Sequence, residues 1–187
     1  MINVAIFASG EGTNAENLML FFANDHRIRI KLVITNRDDA GVVAKAEKYK
    51  KNIQIISKDA LNNYTDKIIE FLKTEKIDLI ILAGFLLKIP DAFITAFPNK
   101  IINIHPSLLP KYGGKGMYGA NVHKAVIENK EKESGITIHY VNNEYDKGEI
   151  ILQEKCTISS DESHESLAKK IHELEHKFFP KAIEKLL

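Results

Sequence analysis

Apolar, β-branched runs alternate with amphipathic segments along the first part of the chain. The apolar runs contain few polar positions, which is typical of parallel strands that are covered by helices on both faces. A regular alternation of strand and helix favours an α/β fold with an open, mostly parallel twisted sheet and a Rossmann-like N-terminal half. The predicted strands are 2–8, 28–35, 53–56, 78–84 and 101–104, and the predicted helices are 14–25, 41–50 and 64–76.

The pattern changes after residue 134. Residues 134–143 alternate apolar and polar positions, and the connection YDKGE leads into a second run at 150–158. Two such runs around a short Asp- and Gly-containing connection predict an antiparallel hairpin. Apolar residues at helical spacing then predict a long amphipathic helix over 161–187. Because no repeat or linker interrupts the chain, we expect a single domain over 1–187.

Composition narrows the function classes. The 187 residues are 44% apolar and 27% charged, and 26 basic against 25 acidic residues give a net charge of +1. Nucleic-acid modules usually carry a strong basic excess, so this class is not expected. Cys156 is the only cysteine, which excludes a disulfide framework. The start MINVAIFASG predicts a first strand, no apolar run has the length of a membrane span, and we expect a cytoplasmic protein.

A glycine-rich turn, ASGEGTNAENL, follows the first strand. Such strand-to-helix turns present backbone N–H groups to anions. Gly10-x-Gly12-x-x-Ala15 also fits the loose dinucleotide pattern, but the second strand ends in ITNRDD without the expected acid at its end. Phosphate is therefore favoured over a dinucleotide. Thr13 and Glu16 fit a capping box, which is compatible with a phosphate role.

The stretch NIHPSLLPKYGG follows the last predicted parallel strand. Asn103 and His105 are two apart on extended backbone, so their side chains are expected on one side. There an amide can donate to an oxyanion and an imidazole can carry a proton. Taken by themselves, both residues are better explained as satisfying backbone groups where the strand ends. Pro106 and Pro110 stiffen the segment, and Leu109–Pro110 is a candidate cis peptide.

Three further features bear on chemistry. Asp146 lies in the hairpin connection, where Asp before Lys-Gly is usual turn chemistry. His139 alternates with apolar neighbours on a strand, and we interpret it as structural or as a support for other site residues. Residues His172 to His176 match H-E-x-x-H, the zinc protease pattern. Because the helix is rich in Lys and Glu and ends soon afterwards, we interpret that match as chance and expect no metal site.

Taken together, the segments resemble the phosphoribosylglycinamide formyltransferase family, folate-dependent enzymes of purine biosynthesis. The resemblance covers essentially the whole chain, and the HPSLLP block with the later G-x-T-x-H-x-V and D-x-G blocks is its most specific part. It implies a formyltransferase fold. The segments that carry it are SGEGTN after the first strand, ILAGF at 81–85, NIHPSLLPKY at 103–112, SGITIHYV at 134–141 and YDKGEIILQ at 145–153.

The resemblance also implies site residues, position by position. The family's catalytic Asn, His and Asp match Asn103, His105 and Asp146. The loop for the glycinamide ribonucleotide phosphate matches Gly12, Thr13 and Asn14, and a C-terminal helix segment contacting that nucleotide matches His172 to Glu175. The folate-binding segments match Leu86, Leu87, Lys88 and Ile89, the closing loop Asn142, Asn143, Glu144 and Tyr145, and again Asn103.

The chain departs from the family pattern in three places. The family often has Met-Arg at 86–87, where this chain has Leu-Leu, and an expected Arg near Leu61 has no clear match, although Lys58 could substitute for it. The family often has Lys-Tyr-Pro-Gly where this chain has KYGGKGMYG. Gly113 at the proline position and the following glycines predict a mobile loop over 113–119.

The implied reaction moves a formyl group from 10-formyltetrahydrofolate, the co-substrate, to the amine of phosphoribosylglycinamide. In this interpretation Asn103 and a protonated His105 donate to the oxyanion, and Asp146 raises the pKa of His105. The rivals are methionyl-tRNA formyltransferase, formyltetrahydrofolate deformylase and, outside the class, a nucleotide-binding protein that is not an enzyme. Small-molecule substrates are the expected partners, and the chain is expected to be a monomer or a weak homodimer.

Overall fold

Seven strands and seven helices make up the fold. The computed structural model describes all residues, 1–187. The chain forms two compact units, Met1–Ile102 with Leu187 and Asn103–Leu186. The strand order is β3-β2-β1-β4-β5-β6-β7, in sequence numbering of the strands. This architecture confirms the predicted α/β class with its mostly parallel sheet and its antiparallel pair at the C-terminal side.

The first unit is a parallel βα arrangement. β1 pairs with β2 and with β4, and β2 pairs with β3, all in parallel. Val4 to Phe7 are fully buried without interruption, which is expected when both faces of a strand are covered. The strands are β1 Ile2–Phe7, β2 Ile28–Thr35, β3 Asn52–Ile55 and β4 Leu79–Leu82, and the helices are α1 Thr13–Phe21, α2 Gly41–Lys48, α3 Lys58–Asn63, α4 Thr65–Thr74 and α5 Asp91–Ala96.

The second unit contains the antiparallel hairpin and the longest helix. β6 pairs with β7 in antiparallel register, and α7 packs against α6, β6 and β7. The buried face of α7 includes Leu167, Ile171 and Phe179. No helix of the protein combines the length and apolar character needed to cross a membrane. The elements are β5 Ile101–His105, which begins in the first unit, α6 Ala120–Glu128, β6 Glu133–Tyr140, β7 Ile150–Thr157 and α7 His164–Glu184.

The differences from the predicted elements are local. Helices α3, α5 and α6 carry no prediction. α3 and α5 have only six residues each, too few turns for a clear apolar period. α7 begins at His164 and not near Asp161, since Ser163 accepts a hydrogen bond from the Ser166 N–H and caps the helix. The hairpin connection spans 141–149 and is longer than the YDKGE stretch alone.

Candidate active site

The site in the second unit begins with His105 at the end of β5. The imidazole is buried, with 4% of the residue exposed. Its Nε2 lies 2.8 Å from the carbonyl oxygen of Tyr112. Because a carbonyl can only accept, Nε2 carries the hydrogen and donates it. Nδ1 therefore holds the lone pair of the neutral ring, and it faces the Asp146 Oδ2 at 3.6 Å.

Asp146 lies between two imidazole rings. Its Oδ2 accepts a hydrogen bond from the Gly114 N–H at 2.8 Å, and its Oδ1 is 3.7 Å from the Nε2 of His139. The residue has a φ of 54°, in the left-handed region that Asp tolerates better than most residues. Gly148 permits this turn, since a Cβ there would lie 1.6 Å from the Tyr140 carbonyl oxygen. The backbone thus fixes the carboxylate beside His105.

Asn103 is oriented by His139. The Nδ1 of His139 lies 2.9 Å from the carbonyl oxygen of Tyr140, so Nδ1 carries the hydrogen in the neutral ring. Its Nε2 then accepts a hydrogen bond from the Asn103 Nδ2, 3.1 Å away. One of the two amide hydrogens of Asn103 is used in this bond. The second hydrogen is available to an oxygen bound in the site.

Burial decides the charge of His105. Desolvation lowers the pKa of His105, and this outweighs the opposing influences of the Asp146 charge and of the Tyr112 carbonyl. The predicted influence of Asp146 has the expected sign, but the prediction that His105 is protonated does not fit the net shift. The buried ring is expected to be neutral at neutral pH, with its Nδ1 ready to accept a proton.

For the carboxyl of Asp146, the influences that oppose burial decide the direction of the pKa shift. Desolvation alone would raise its pKa, but the neighbouring imidazoles of His139 and His105 and the hydrogen bond from the Gly114 N–H together lower the pKa below its ordinary value. Asp146 is therefore ionised at neutral pH. A neutral imidazole next to a fixed carboxylate is an arrangement in which the ring can take up a proton and be stabilised as imidazolium.

The turn after His105 packs directly against Asp146. Tyr112 has a φ of 58°, and Leu109–Pro110 is a cis peptide, as the sequence suggested. A Cβ at Gly113 would lie 2.6 Å from the Leu109 Cδ2 and 3.2 Å from the Asp146 Cβ. A bulkier residue at 113 would therefore press on the carboxylate side chain. The absence of a side chain at Gly113 lets this turn lie close to Asp146.

Polar side chains of α7 lie in the same unit. The Nδ1 of His172 contacts the Glu175 Oε2 at 3.2 Å, and this contact raises the pKa of His172. The charge of Glu175 also acts on the pKa of His105, so its carboxylate is within electrostatic reach of the site. The ring centroids of His172 and His176 lie 4.0 Å apart, with the ring planes tilted by 57°. No group of three or more His, Cys, Asp or Glu side chains is arranged to hold a metal ion.

Residues 141–149 connect β6 and β7 and carry Asp146. The Oδ1 of Asn142 accepts a hydrogen bond from the Glu144 N–H at 3.0 Å, and its Nδ2 donates to the Lys147 carbonyl at 3.2 Å. These bonds close the turn over itself. Asn143 and Glu144 are exposed, and Tyr145 is 46% exposed. The predicted folate-closing segment is thus a surface turn, and the partly buried Asp146 follows it directly.

The glycine-rich turn lies in the first unit. Gly12 adopts a φ of 69° and is the N-cap residue of α1, so the helix begins at Thr13. The predicted capping box is wrong, because Thr13 is already helical and no side chain caps the helix. Glu16 instead bonds to Lys48 and Tyr49. A Cβ at Gly12 would lie 2.5 Å from the Val42 Cβ, so only glycine fits this close approach.

The segment that follows β4 is tied to the same turn. Ser9 is buried, its hydroxyl donates to the Asn36 Oδ1 at 2.5 Å, and its oxygen accepts the Leu86 N–H at 2.9 Å. The Ser9 N–H donates to the Gly84 carbonyl at 3.0 Å. The first unit therefore holds the glycine-rich turn and the 84–86 backbone together. In the predicted folate segment, Ile89 is buried, Leu86 is 54% exposed, and Leu87 and Lys88 are at least partly exposed.

Sequence reasoning identified Asn103, His105 and Asp146, and the structure brings all three together. It did not identify the contacts that orient them. His139 contacts Asn103 and Asp146. The only sequence signal for these contacts was that His139 lies two residues after Thr137, on the same face of the strand. The Tyr112 carbonyl and the Gly114 N–H are backbone groups, which carry no residue-type signal at all.

Comparison with known proteins adds an independent observation. A family model described as formyl transferase matches residues 2–183. The chain is 36% identical to the chloroplastic phosphoribosylglycinamide formyltransferase of Arabidopsis thaliana, with 96% of this chain and 63% of that protein covered. It is 34% identical to the phosphoribosylglycinamide formyltransferase of Bacillus subtilis, with 100% and 95% covered.

A solved structure agrees with these relatives. The crystal structure of phosphoribosylglycinamide formyltransferase from Bacillus halodurans superposes with a TM-score of 0.88 at 34% identity, and the match covers 99% of this chain and 95% of that one. The similarity therefore extends over both units, and over the turn after β1 as well as the one after β5.

Proposed function

The chain belongs to the formyl transferase family, and from that premise we propose that it transfers a formyl group from 10-formyltetrahydrofolate to the amine of phosphoribosylglycinamide, a step of purine biosynthesis. The observation that carries the proposal is the joint placement of Asn103, His105 and Asp146, with Nδ1 of His105 facing the carboxylate. Phosphoribosylglycinamide formyltransferases match along nearly the whole chain. A nucleotide-binding protein without chemistry would have no use for such a group.

Substrate binding is assigned by the same route. The turn at Gly12, Thr13 and Asn14 would hold the phosphate, because first-turn N–H groups of a helix have no intrahelical acceptor and the helix dipole favours an anion. His172 and Glu175 would contact the glycinamide nucleotide, in keeping with the raised pKa of His172. The folate donor would use Leu86 to Ile89, Asn103 and the turn with Asn142, Asn143, Glu144 and Tyr145.

The amine of the acceptor attacks the formyl carbon, and its proton must leave as the new C–N bond forms. A neutral His105 takes that proton at Nδ1, because Nε2–H is already bonded to the Tyr112 carbonyl. The ionised Asp146 stabilises the resulting imidazolium. This order of events differs from a His105 that is protonated before the reaction, and it follows from the lowered pKa of the buried ring.

The tetrahedral intermediate carries an oxyanion on the former formyl oxygen. The second N–H of the Asn103 amide donates to this oxygen, while the first remains with His139. The intermediate collapses when the bond from carbon to N10 breaks. The imidazolium then returns its proton to N10, so tetrahydrofolate leaves neutral at that nitrogen and His105 regains its starting state.

A formyl-transfer assay tests the proposal. The purified protein is given 10-formyltetrahydrofolate with phosphoribosylglycinamide or with water as the only acceptor, and both products are quantified by mass spectrometry. We expect equal amounts of formylated glycinamide ribonucleotide and tetrahydrofolate, and little turnover without the amine. Formate and tetrahydrofolate formed at the same rate without the amine would assign the chain to the hydrolase alternative, and no turnover with either acceptor would refute the proposal.

A further inference from the structure

A buried hydroxyl, that of Thr137, connects the β6–β7 hairpin to the turn after β5. Thr137 on β6 is fully buried and lies directly opposite Gln153 on β7 in the strand register. Its Oγ1 donates to the Ser107 carbonyl at 2.7 Å and accepts the Leu109 N–H at 3.0 Å. It also accepts a hydrogen bond from the Gln153 Nε2 at 2.9 Å.

Gln153 completes the same set of bonds. Its Nε2 donates a second hydrogen bond to the Leu109 carbonyl at 2.9 Å. The Ser107 hydroxyl, itself buried, donates to the Lys111 carbonyl at 2.7 Å. Backbone groups of residues 107, 109 and 111 are thereby bonded to side chains. A segment with two prolines cannot build a regular ladder, so side chains take the place of backbone partners here.

The turn fixed in this way ends at Tyr112, and the Tyr112 carbonyl accepts the Nε2–H of His105 at 2.8 Å. That single bond decides which imidazole nitrogen carries the hydrogen in the neutral ring and which faces Asp146. A shift of the 107–112 backbone would move the carbonyl and release the ring. Thr137 and Gln153 do not touch the ring, so any influence on it passes through this turn.

We propose that the cross-strand pair Thr137 and Gln153 positions His105, the proton carrier of the reaction. The pair holds the 107–112 turn, so that the Tyr112 carbonyl keeps the hydrogen of His105 on Nε2. Nδ1 can then accept a proton. Both are positioning residues and not catalytic ones. Only the expected effect on turnover rests on the proposed function. The state of the ring is a property of the protein itself and can be measured without substrates.

The first test replaces the hydroxyl without changing its shape. In Thr137→Val we expect kcat for formyl transfer to fall about 10- to 100-fold, the range of cost for a small displacement of a reacting group, with little change in either KM. Nitrogen-15 NMR of histidine-labelled protein, with the His105 signals assigned from a His105→Asn sample, should show loss of the pure Nε2–H form. Thr137→Ser keeps the hydroxyl and should restore both kcat and the NMR signature.

A matched control separates positioning from the general cost of deleting a buried hydroxyl. Thr35 is equally buried, and its hydroxyl bonds only to the backbone of Arg37. Thr35→Val should lose stability comparably yet keep kcat and the His105 tautomer. If Thr137→Val fails to fold, Gln153→Met, which removes the two bonds from Nε2 at an exposed position, takes its place with the same expected direction.

The outcomes are distinct. A folded Thr137→Val or Gln153→Met that keeps the Nε2–H tautomer and a kcat within twofold of wild type would overturn the proposal. Equal losses in Thr137→Ser and Thr137→Val would also overturn it, because side-chain shape and not the hydroxyl would then be responsible. If the wild-type protein shows no formyl transfer, the proposed function fails, while the NMR comparison still decides the positioning role.

Discussion

Two turns that follow strands of this fold are built on opposite principles. The turn after β1 presents backbone, with Gly12 in a left-handed conformation that no other residue fits. The turn after β5 presents side chains, and backbone groups of residues 107, 109 and 111 are bonded to the buried hydroxyls of Ser107 and Thr137 and to the amide of Gln153. One turn relies on the absence of a side chain, and the other on several side chains in fixed positions.

The difference matches the chemistry proposed for each turn. A phosphate is bound by several N–H groups at once, and a backbone that is free of side chains lets it approach closely. Proton transfer needs one nitrogen in one orientation, which requires neighbours that fix the ring and its tautomer. We therefore expect changes at the turn after β1 to act on binding and stability, and changes at the turn after β5 to act on the chemical step.

The largest effect is expected at Asp146. Asp146→Asn keeps an oxygen that can accept the Gly114 N–H, so the fold should persist, but it removes the charge that stabilises a protonated His105. We expect kcat to fall about 10²- to 10⁴-fold, the usual range for lost acid–base assistance. Steady-state kinetics with a circular dichroism check measure this, and Asp161→Asn, an exposed site, is the control. Near-normal turnover in Asp146→Asn would remove the residue from the mechanism.

Removal of the Asn103 amide should cause the second largest loss of activity. Asn103→Ala deletes the proposed oxyanion donor, and losses of about 10²–10³ in kcat are usual for one such donor. The control is Asn121→Ala, whose exposed amide donates only to the Gly116 carbonyl. Rates at saturating substrates compare the two variants. A change confined to the KM for the folate donor would reassign Asn103 to binding alone.

At the turn after β1 a smaller and different effect is expected. Gly12→Ala places a Cβ 2.5 Å from that of Val42 on a backbone that costs an L-residue about 1–2 kcal/mol. The melting temperature should fall and the KM for phosphoribosylglycinamide should rise, with kcat changed less. Gly10→Ala is the matched control, since a Cβ there meets nothing within 4 Å. Equal effects of both substitutions would contradict the assigned role of Gly12.

The smallest effect concerns stability and pH. The folded-state pKa of His105 is lowered, so the neutral ring stabilises the fold above its unfolded pKa of about 6.5, and this contribution is lost as pH falls below that value. Burial also lowers the pKa of His123, whereas the contact with Glu175 raises the pKa of His172. Denaturant titrations at pH 7 and pH 5 should show weaker stability at pH 5, and a smaller difference in His105→Asn. An unchanged difference in that variant would show that His105 does not titrate as described.

Much of the fold could be predicted because the parallel strands are continuous apolar runs. β2 was predicted at its observed bounds, and β1 and β3 within one residue. The six-residue helices α3 and α5 were not predicted, since a single apolar turn is compatible with many structures. The capping box at Thr13 was wrong because a left-handed Gly12 begins the helix one residue earlier than the motif requires.

Only those features of the site that depend on residue type could be predicted from the sequence. Asn103, His105 and Asp146 came from the resemblance, while burial, which lowers the pKa of His105, is a tertiary property. The roles of the binding residues stay predictions, as do the single domain, the cytoplasmic location and the monomeric or weakly dimeric state. Backbone partners such as the Tyr112 carbonyl become visible only when the chain is folded.

The contrast between the two turns can be tested in one calorimetric comparison. Phosphoribosylglycinamide is titrated into wild type, Gly12→Ala and Asp146→Asn, and the single-turnover rate is then measured at saturation for each. The account predicts weakened binding with a nearly normal single-turnover rate in Gly12→Ala, and wild-type binding with a rate at least 100-fold lower in Asp146→Asn. Weakened binding and a normal saturated rate in Asp146→Asn would contradict it.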